Sequence, residues 1–476
     1  MQRVTADRAW PLFDIPGIRA MEQAAAAQLP PHTLMQRAGL AVARLALAQA
    51  PHARSIWIAC GPGNNGGDGL EAAQHLQAWG REVTVTLAGD PAALPQDART
   101  ALQRAQAANV AISAQPPAAW DLAIDALLGI GASRALQGSL LEAVEHLNAS
   151  DRPVLAVDIP SGLHAGTGQG QSVQATWTLS LLGLKPGLFT AHGRDAAGEV
   201  WTDDLGVALP QERACAWLGG PPLAARRPHA SHKGSYGDVA VVGGATGMTG
   251  AALLAASAAL HHGAGRVFVA LQDPSPLAVD LQQPELMLRN HEDLDLRTMA
   301  VACGCGGGEA VRLALPKVLS TAKALVLDAD ALNAIASDSQ LQQLLRSRSG
   351  RHAGATVMTP HPLEAARLLG CSAADVQADR LQAAAQLVER YNCAVLLKGS
   401  GTVIAAAQQL PVINPTGNAR LATAGTGDVL AGMVAAAMAA GARAFDAACA
   451  AAYLHGAAAD QWPAAQPLTA SGLARA

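Results

Sequence analysis

Two stretches of the chain repeat one pattern: a short apolar strand, a glycine-rich turn, a helical segment and a second strand. In the first, Ser55–Cys60 (SIWIAC) runs into GPGNNGGDG at 61–69, followed by a helix expected over Leu70–Trp79 and a strand at Glu82–Leu87. In the second, a strand at Asp238–Val242 meets the loop Gly243–Gly250, then a small-residue helix over Ala251–His262 and a strand at Arg266–Leu271. Parallel strands cannot be joined by a tight turn and need a crossover, usually a helix. The pattern therefore commits the chain to α/β architecture with parallel sheets. Further strands are expected at Leu122–Asp125, Val154–Asp158, Met299–Ala302, Ala324–Asp328, Ala355–Met358 and Ala394–Leu397. Apolar residues at helical spacing (Ile18, Met21, Ala25; Leu34, Met35, Ala38, Val42, Leu45) predict two helices broken at Pro30-Pro31.

A chain of 476 residues exceeds what one core usually supports. Two domains are expected, over 1–215 and 230–476. A linker at 216–229 carries Gly219-Gly220-Pro221-Pro222 and Arg226-Arg227-Pro228. Half the residues are hydrophobic, much of that alanine, which suits helices packed closely on sheets. A net charge of −4 with no basic patch argues against nucleic acid as a partner. No stretch reaches the roughly 18 apolar residues of a membrane span; the nearest, Val429–Ala440, is closed off by Arg443 and Asp446. The seven cysteines form no CxxC pair, which argues against a disulfide scaffold or zinc site, and Cys303-Gly304-Cys305 has no further metal ligands at a suitable spacing. With no basic segment followed by an apolar core at the N-terminus, a soluble, cytoplasmic protein is expected; a homo-oligomer is a separate expectation.

The loop at 61–69 formally contains G-x-G-x-x-G, with Asp90 near the distance of a ribose-binding acid, so a dinucleotide-binding dehydrogenase is one reading. Against it, Asn64, Asn65 and Asp68 fill the turn with side chains where that fingerprint uses bare backbone, and nothing downstream resembles a hydride-transfer set. Two more strand ends carry acids into glycine turns: Asp125 before Gly129-Ile130-Gly131-Ala132-Ser133-Arg134, and Asp158 in Val157-Asp158-Ile159-Pro160-Ser161-Gly162. Ligands of open parallel sheets sit beyond the carboxyl ends of the strands. Any one such Asp reads most simply as a solvated loop carboxylate; three oxygen-bearing ends together suit a hard cation and a phosphate.

GPGNNGGDG at 61–69, DALLGIGASR at 125–134 and VDIPSG at 157–162, with Lys185-Pro186-Gly187-Leu188 and the stretch 193–204, resemble the NAD(P)H-hydrate epimerase domain over about 15–210. The resemblance implies that the nicotinamide hydrate lies against Asn64, Asn65, Gly66, Gly67 and Asp68, against Gly129, Ile130, Gly131, Ala132, Ser133, Arg134 and Ala135, and against Asp158, the acid/base. It also implies a potassium ion held by Asn65, Asp125 and Ser161.

In the second half, Asn414–Gly432 (NPTGNARLATAGTGDVLAG) delivers glycines into an Ala-rich helix expected to begin at or just after Gly427, with Asp428 in its first turn. A glycine loop feeding a helix N-terminus offers backbone donors and the positive dipole end to an anion; the plainer reading makes Asp428 a cap. Lys398-Gly399-Ser400-Gly401-Thr402 sets a cation and backbone donors after a strand, a place for nucleotide phosphates, although no G-x-x-x-x-G-K-[ST] loop is present. His361, between two prolines, reads as structural or functional with equal ease. Together these loops resemble the ADP/ATP-dependent NAD(P)H-hydrate dehydratase, a ribokinase-like fold, over about 230–465. The chain departs from it at Gly304-Cys305-Gly306-Gly307-Gly308, where GPGLG is usual, and at Leu363, where Gly is common.

That second resemblance implies nucleotide contacts from Lys398, Gly399, Ser400, Gly401, Thr402 and Gly427, and substrate contacts from Ala251, Gly306, Gly308, His361 and Asp428, with Asp428 the catalytic base and Mg²⁺ on the nucleotide. The fold implied is α/β in two domains, a Rossmann-like parallel sheet and a ribokinase-like sheet. The activity implied is repair of NADH and NADPH hydrates (NADHX and NADPHX), by epimerisation of the R and S forms and ADP- or ATP-driven dehydration of the S form. A ribokinase-type kinase of a small alcohol and a non-enzymatic first domain are the rival readings.

Overall fold

The computed structural model describes residues 1–131, 136–223, 228–274, 277–351 and 355–476. It divides into two compact units, Met1–Thr5 with Trp10–Trp217, and Ala6–Ala9 with Leu218–Ala476. No described helix is long and apolar enough to cross a membrane.

The first unit is built on an eight-stranded sheet. Its strands are β1 (Gln2–Arg3), β2 (Ser55–Cys60), β3 (Glu82–Leu87), β4 (Ala111–Ser113), β5 (Leu122–Ala126), β6 (Val154–Val157), β7 (Trp177–Leu181) and β8 (Glu199–Asp203). They lie in the order β1-β8-β7-β6-β5-β2-β3-β4. All pairs are parallel except β1 with β8. Ile56, Ile58 and Cys60 of β2 enter one apolar cluster while Trp57 and Ala59 enter another. Both faces are thus covered, as a parallel sheet requires. The two helices foreseen around Pro30-Pro31 are α1 (Ile15–Ala26), capped by Asp14, and α2 (Thr33–Gln49).

The helix after β2 differs from expectation. It spans Asn64–Ala78 (α3), so Asn64 to Gly69, read from sequence as a loop, form its opening turns. The glycines there serve close packing. A Cβ on Gly66 would stand 2.0 Å from the carbonyl oxygen of Gly61, and one on Gly69 would stand 2.6 Å from Ala126 Cβ. Without side chains at these positions α3 can lie directly on β2 and β5.

The second unit carries β9 (Asp238–Gly243), β10 (Arg266–Leu271), β11 (Met287–Leu288), β12 (Ala300–Cys303), β13 (Ala324–Leu327), β14 (Thr356–Met358), β15 (Ala394–Leu397), β16 (Val403–Ala405) and β17 (Val412–Ile413). The order is β11-β10-β9-β12-β13-β14-β15-β16-β17. Pairing is parallel through β15 and antiparallel from there to β17. Val239 and Val241 face one core cluster, Ala240 and Val242 the other. The Ala-rich helix α4 spans Thr426–Ala439, starting one residue before Gly427, and packs its buried small residues into the first of these clusters. Ala216–Leu218, inside the stretch read as a linker, form a short strand; 224–227 lie outside the described residues.

Candidate active sites

In the first unit the carboxyl ends of β2, β5 and β6 and the start of α3 surround a cavity of about 590 Å³. Asn64, Asn65, Asp68, Gly129, Ile130, Gly131 and Asp158 line it, joined by Arg19 and Glu22 of α1. Asp158 follows β6 with φ +68, a left-handed backbone that a non-glycine residue adopts only under constraint. Its amide donates to Leu179 O at 2.8 Å. Its carboxylate forms an ion pair with Lys185 and accepts from the Leu181 amide at 3.2 Å. Lys185 is fully buried, and its ammonium also donates to Leu181 O at 2.8 Å and Ser180 Oγ at 3.2 Å. The Lys185 ammonium and the Leu181 amide thus fix the position of the Asp158 carboxylate, and its left-handed backbone aims it.

Asp125, the penultimate residue of β5, is fully buried and accepts from Ser161 Oγ at 2.6 Å, Ser161 N at 2.8 Å and Leu127 N at 3.2 Å. Burial pushes its carboxyl up to about 6, against the pull of these hydrogen bonds. Ser161 Oγ also accepts from Leu128 N at 2.8 Å. The loop so held brings Gly129 to Asn65, whose Oδ1 lies 3.2 Å from where a Gly129 Cβ would stand, while the buried Asn65 Nδ2 has no partner. Asp90, which the dehydrogenase reading needs at a ribose, instead accepts from Ala92 N at 2.9 Å as the cap of a short 3-10 turn.

In the second unit the loops after β12, β13, β14 and β15 converge on the start of α4. Gly425, at φ +88, is the N-cap of α4, with no side-chain cap, so Asp428 in the first turn is not consumed by capping. Ligand atoms of Asp428, Asp328 and Cys305 all lie within 4.8 Å of one another. Burial, then the neighbouring Asp328 charge, push the Asp428 carboxyl up to about 6. Burial also drives the Cys305 thiol well up. Lys398 Nζ bridges to Asp328 Oδ1 at 2.7 Å and stands 3.3 Å from where a Cβ on Gly427 would be. Burial would lower this ammonium, yet Asp328 and Glu364 leave it raised and charged.

The Lys398–Thr402 loop is fixed from below by Arg380, a buried guanidinium donating to Leu397 O at 3.1 Å and Lys398 O at 3.2 Å. Gly399, at φ +141, is required there, because a Cβ would meet the guanidinium at 2.7 Å. His361 caps the helix Pro362–Leu369, its Nδ1 accepting from Leu363 N at 3.1 Å and Glu364 N at 3.3 Å while Nε2 stands 3.2 Å from Glu364 Oε1. Gly306 and Gly308 have φ +58 and +53, and a Gly306 Cβ would stand 2.8 Å from Ala251 Cβ. The Gly308 amide donates to Asp330 Oδ2 at 2.8 Å.

Two family descriptions match the chain, "YjeF-related protein N-terminus" over 31–187 and "NAD(P)H-hydrate dehydratase" over 239–474. The bifunctional NAD(P)H-hydrate repair enzyme Nnr of Escherichia coli K12 is 38% identical over 455 residues, covering 90% of this chain and 85% of the relative. The Coxiella burnetii protein of the same name is 37% identical over 439 residues, covering 88% of each. The chain belongs to the bifunctional NAD(P)H-hydrate repair enzyme family. A solved ADP/ATP-dependent NAD(P)H-hydrate dehydratase of Bacillus subtilis, co-crystallised with ATP/Mg²⁺, is 31% identical, covering 53% of this chain and 91% of its own, with a TM-score of 0.44.

Of the residues that the family resemblance singles out, Asn64, Asn65, Asp68, Gly129, Ile130, Gly131 and Asp158 share one cavity. Gly66 and Gly67 are buried in α3, packed against Gly61 and Met35 respectively, so that side of the set is scaffold. Ala132, Ser133, Arg134 and Ala135 lie outside the described residues. Three participants escaped the sequence reading of the sites: Lys185, Asp328 and Arg380. Lys185 and Asp328 stood inside quoted motifs without a role, and Arg380 sits in an amphipathic helix where an arginine carries no signal of burial. The spacing around Cys303-Gly304-Cys305 offers no further metal ligands; the fold brings two carboxylates beside Cys305, Asp328 from the end of β13 and Asp428 from the first turn of α4.

Proposed function

We propose that the chain repairs hydrated nicotinamide nucleotides. The first unit interconverts the R and S hydrates of NADH and NADPH; the second returns the S hydrate to NAD(P)H at the expense of ADP or ATP. The functional domains on this reading are 1–215 and 230–476. The observation that carries it is Asp428, an uncapping acid in the first turn of α4 with its carboxyl near 6, beside the Lys398 ammonium. A base poised near the working pH is what hydroxyl activation needs.

In the second unit Asp428 takes the proton of the ring hydroxyl of the S hydrate, while Lys398, Gly399, Ser400, Gly401, Thr402 and the Gly427 amide hold the nucleotide phosphates. Lys398 and the N-terminus of α4 absorb charge that develops during transfer. Phosphorylation converts a poor leaving group into a good one; the C6–O bond breaks with its electron pair leaving on phosphate, and loss of the C5 proton to solvent returns the ring double bond. Ala251, Gly306, Gly308 and His361 form the substrate side. Mg²⁺ fits the carboxylate-rich setting, with Asp328 as its hard oxygen donor; when bound with the nucleotide it supplies charge neutralisation on the phosphates.

In the first unit Asp158, held by Lys185, moves a proton as the C–O bond at C6 of the ring forms and breaks. Potassium fits Asn65, Asp125 and Ser161: the set offers oxygen donors, and Asp125 is buried with no cation partner among the described residues. Bound there, the ion would supply the missing counter-charge. The protein is proposed to act in the cytoplasm as a homo-oligomer.

The test is recovery of nicotinamide absorbance from mixed R and S hydrates supplied with ADP, then ATP. Complete recovery is the expected result. Recovery that stalls at the S fraction would show an idle first unit. Nucleotide consumption with an alcohol substrate alone, hydrates untouched, would establish the kinase reading instead.

A further inference from the structure

Inverting a carbon by loss and return of its oxygen places two demands on one cavity. A proton must be given to the departing hydroxyl, and a proton must be taken from the water that adds to the other ring face. Asp158 answers the second demand: it lines the cavity with its carboxylate ion-paired to Lys185 and bonded by the Leu181 amide. The first demand requires a group that keeps its proton at neutral pH.

Asp68 lines the same cavity from α3. Among the described residues no hydrogen bond or ion pair reaches its carboxyl. The charged groups around it are unfavourable to a second anion. Glu22 of α1 and Asp158 are carboxylates on the same wall, and Glu71, one turn along α3, is engaged by Arg104 at 3.0 Å. The cations nearby are otherwise placed, Lys185 on Asp158 and Arg19 exposed at the cavity edge, and the His32 ring stands on Asp97 at 2.6 Å. The Cys60 thiol at the end of β2 brings no positive charge, and burial pushes it up further. Burial, and then the charges of Asp158, Glu22 and Glu71, raise the Asp68 carboxyl well above the usual carboxylate range. Two acids of one site set in opposite surroundings, one ion-paired to a lysine and the other among carboxylates, mark a base and an acid.

We propose that Asp68 is the acid partner of Asp158, a second catalytic residue of the epimerase site; this rests on the epimerase reading given above. Asp68 O–H protonates the C6 hydroxyl, the C6–O bond breaks with its electron pair going to oxygen, and water departs. The ring nitrogen lone pair closes a nitrogen–carbon double bond. Water then adds to the opposite face of C6, the double-bond pair returns to nitrogen, and Asp158 takes the released proton. Asp68 ends ionised and Asp158 protonated. Turnover of the opposite epimer, or exchange with solvent, restores the starting state.

The experiment follows R/S exchange of purified hydrates by the full-length protein across pH, in solvent water carrying heavy oxygen. The wild type is expected to incorporate one solvent oxygen per inversion and to lose rate as pH rises and Asp68 ionises. Asp68→Asn should lower exchange by about a hundredfold or more and abolish that high-pH limb; Asp68→Glu should restore part of both. Tryptophan fluorescence of the same D68N protein through a denaturant titration, which reports the first unit, checks that this unit is folded. Unchanged exchange and pH profile in D68N, with exchange lost in D158N, would overturn the role of Asp68 and leave the epimerase reading standing. Inversion without oxygen incorporation would likewise overturn it, since no hydroxyl then departs. Absence of exchange in the wild type would sink the epimerase reading itself.

Discussion

Asp125 should make the first unit less stable as pH rises, and potassium should reverse this. Its carboxyl is fully buried and raised from 3.8 to about 6. Below about pH 4 the group is protonated in both folded and unfolded chains, and no penalty arises. Between about pH 4 and 6 the unfolded chain gives up the proton while the folded one keeps it, so stability falls; above about 6 the loss is complete. Roughly two units at about 1.4 kcal/mol each give a loss of about 3 kcal/mol. The assay is denaturant unfolding from about pH 4 to 8 in potassium-free buffer, wild type against Asp125→Asn. Tryptophan fluorescence reports the correct unit, because of the eight tryptophans all but Trp462 lie in the first. The substitution also disturbs hydrogen bonds to Ser161 and Leu127, but that cost is the same at each pH and cancels in the slope. The wild type should lose about 3 kcal/mol more than the variant across the range, and added potassium should recover that difference at high pH in the wild type only. Parallel pH curves would refute the buried, uncompensated charge, and an identical response of both proteins to potassium would refute its site.

Asp428→Asn should lower hydrate dehydration by about 10²- to 10⁴-fold with R/S exchange intact; in the wild type the dehydration rate should rise with pH through about 6, as the base ionises, and a flat profile would count against that role. Lys185→Met leaves Asp158 without its counter-ion and should cost about 3 kcal/mol or more, measured as a lower denaturation midpoint together with lost exchange. Gly66→Ala drives a methyl into the Gly61 carbonyl 2.0 Å away and should destabilise by about 1–3 kcal/mol, whereas Gly63→Ala, with nothing within 4 Å, should be near neutral; equal thermal shifts in the two would refute the packing account of the Asn64–Gly69 turn.

The strand–helix alternation was legible in the chain because burial on both faces writes continuous apolar runs such as SIWIAC and AVLL, and these runs became strands at the residues expected. Catalytic candidates at strand ends were legible too, since parallel sheets bring their carboxyl ends to one edge. Glycine was the misleading signal. The run at 61–69 reads as a loop, yet Gly66, Gly67 and Gly69 are helical, because the same missing side chain that permits a turn also permits a helix to lie against a sheet. His361 was equally ambiguous, and its ring proves to be a helix cap.

Local patterns in the chain suffice for the pair of α/β units, their order, and the acids Asp125, Asp158 and Asp428 with the Lys398 loop. The surroundings of each acid come from the fold. Asp158 and Asp68 are the same residue type on neighbouring elements, but one faces Lys185 and the other faces carboxylates. Likewise Cys305, Asp328 and Asp428 stand far apart along the chain and within 4.8 Å in space. Protonation depends on burial and on neighbours across the fold, and no local pattern records either.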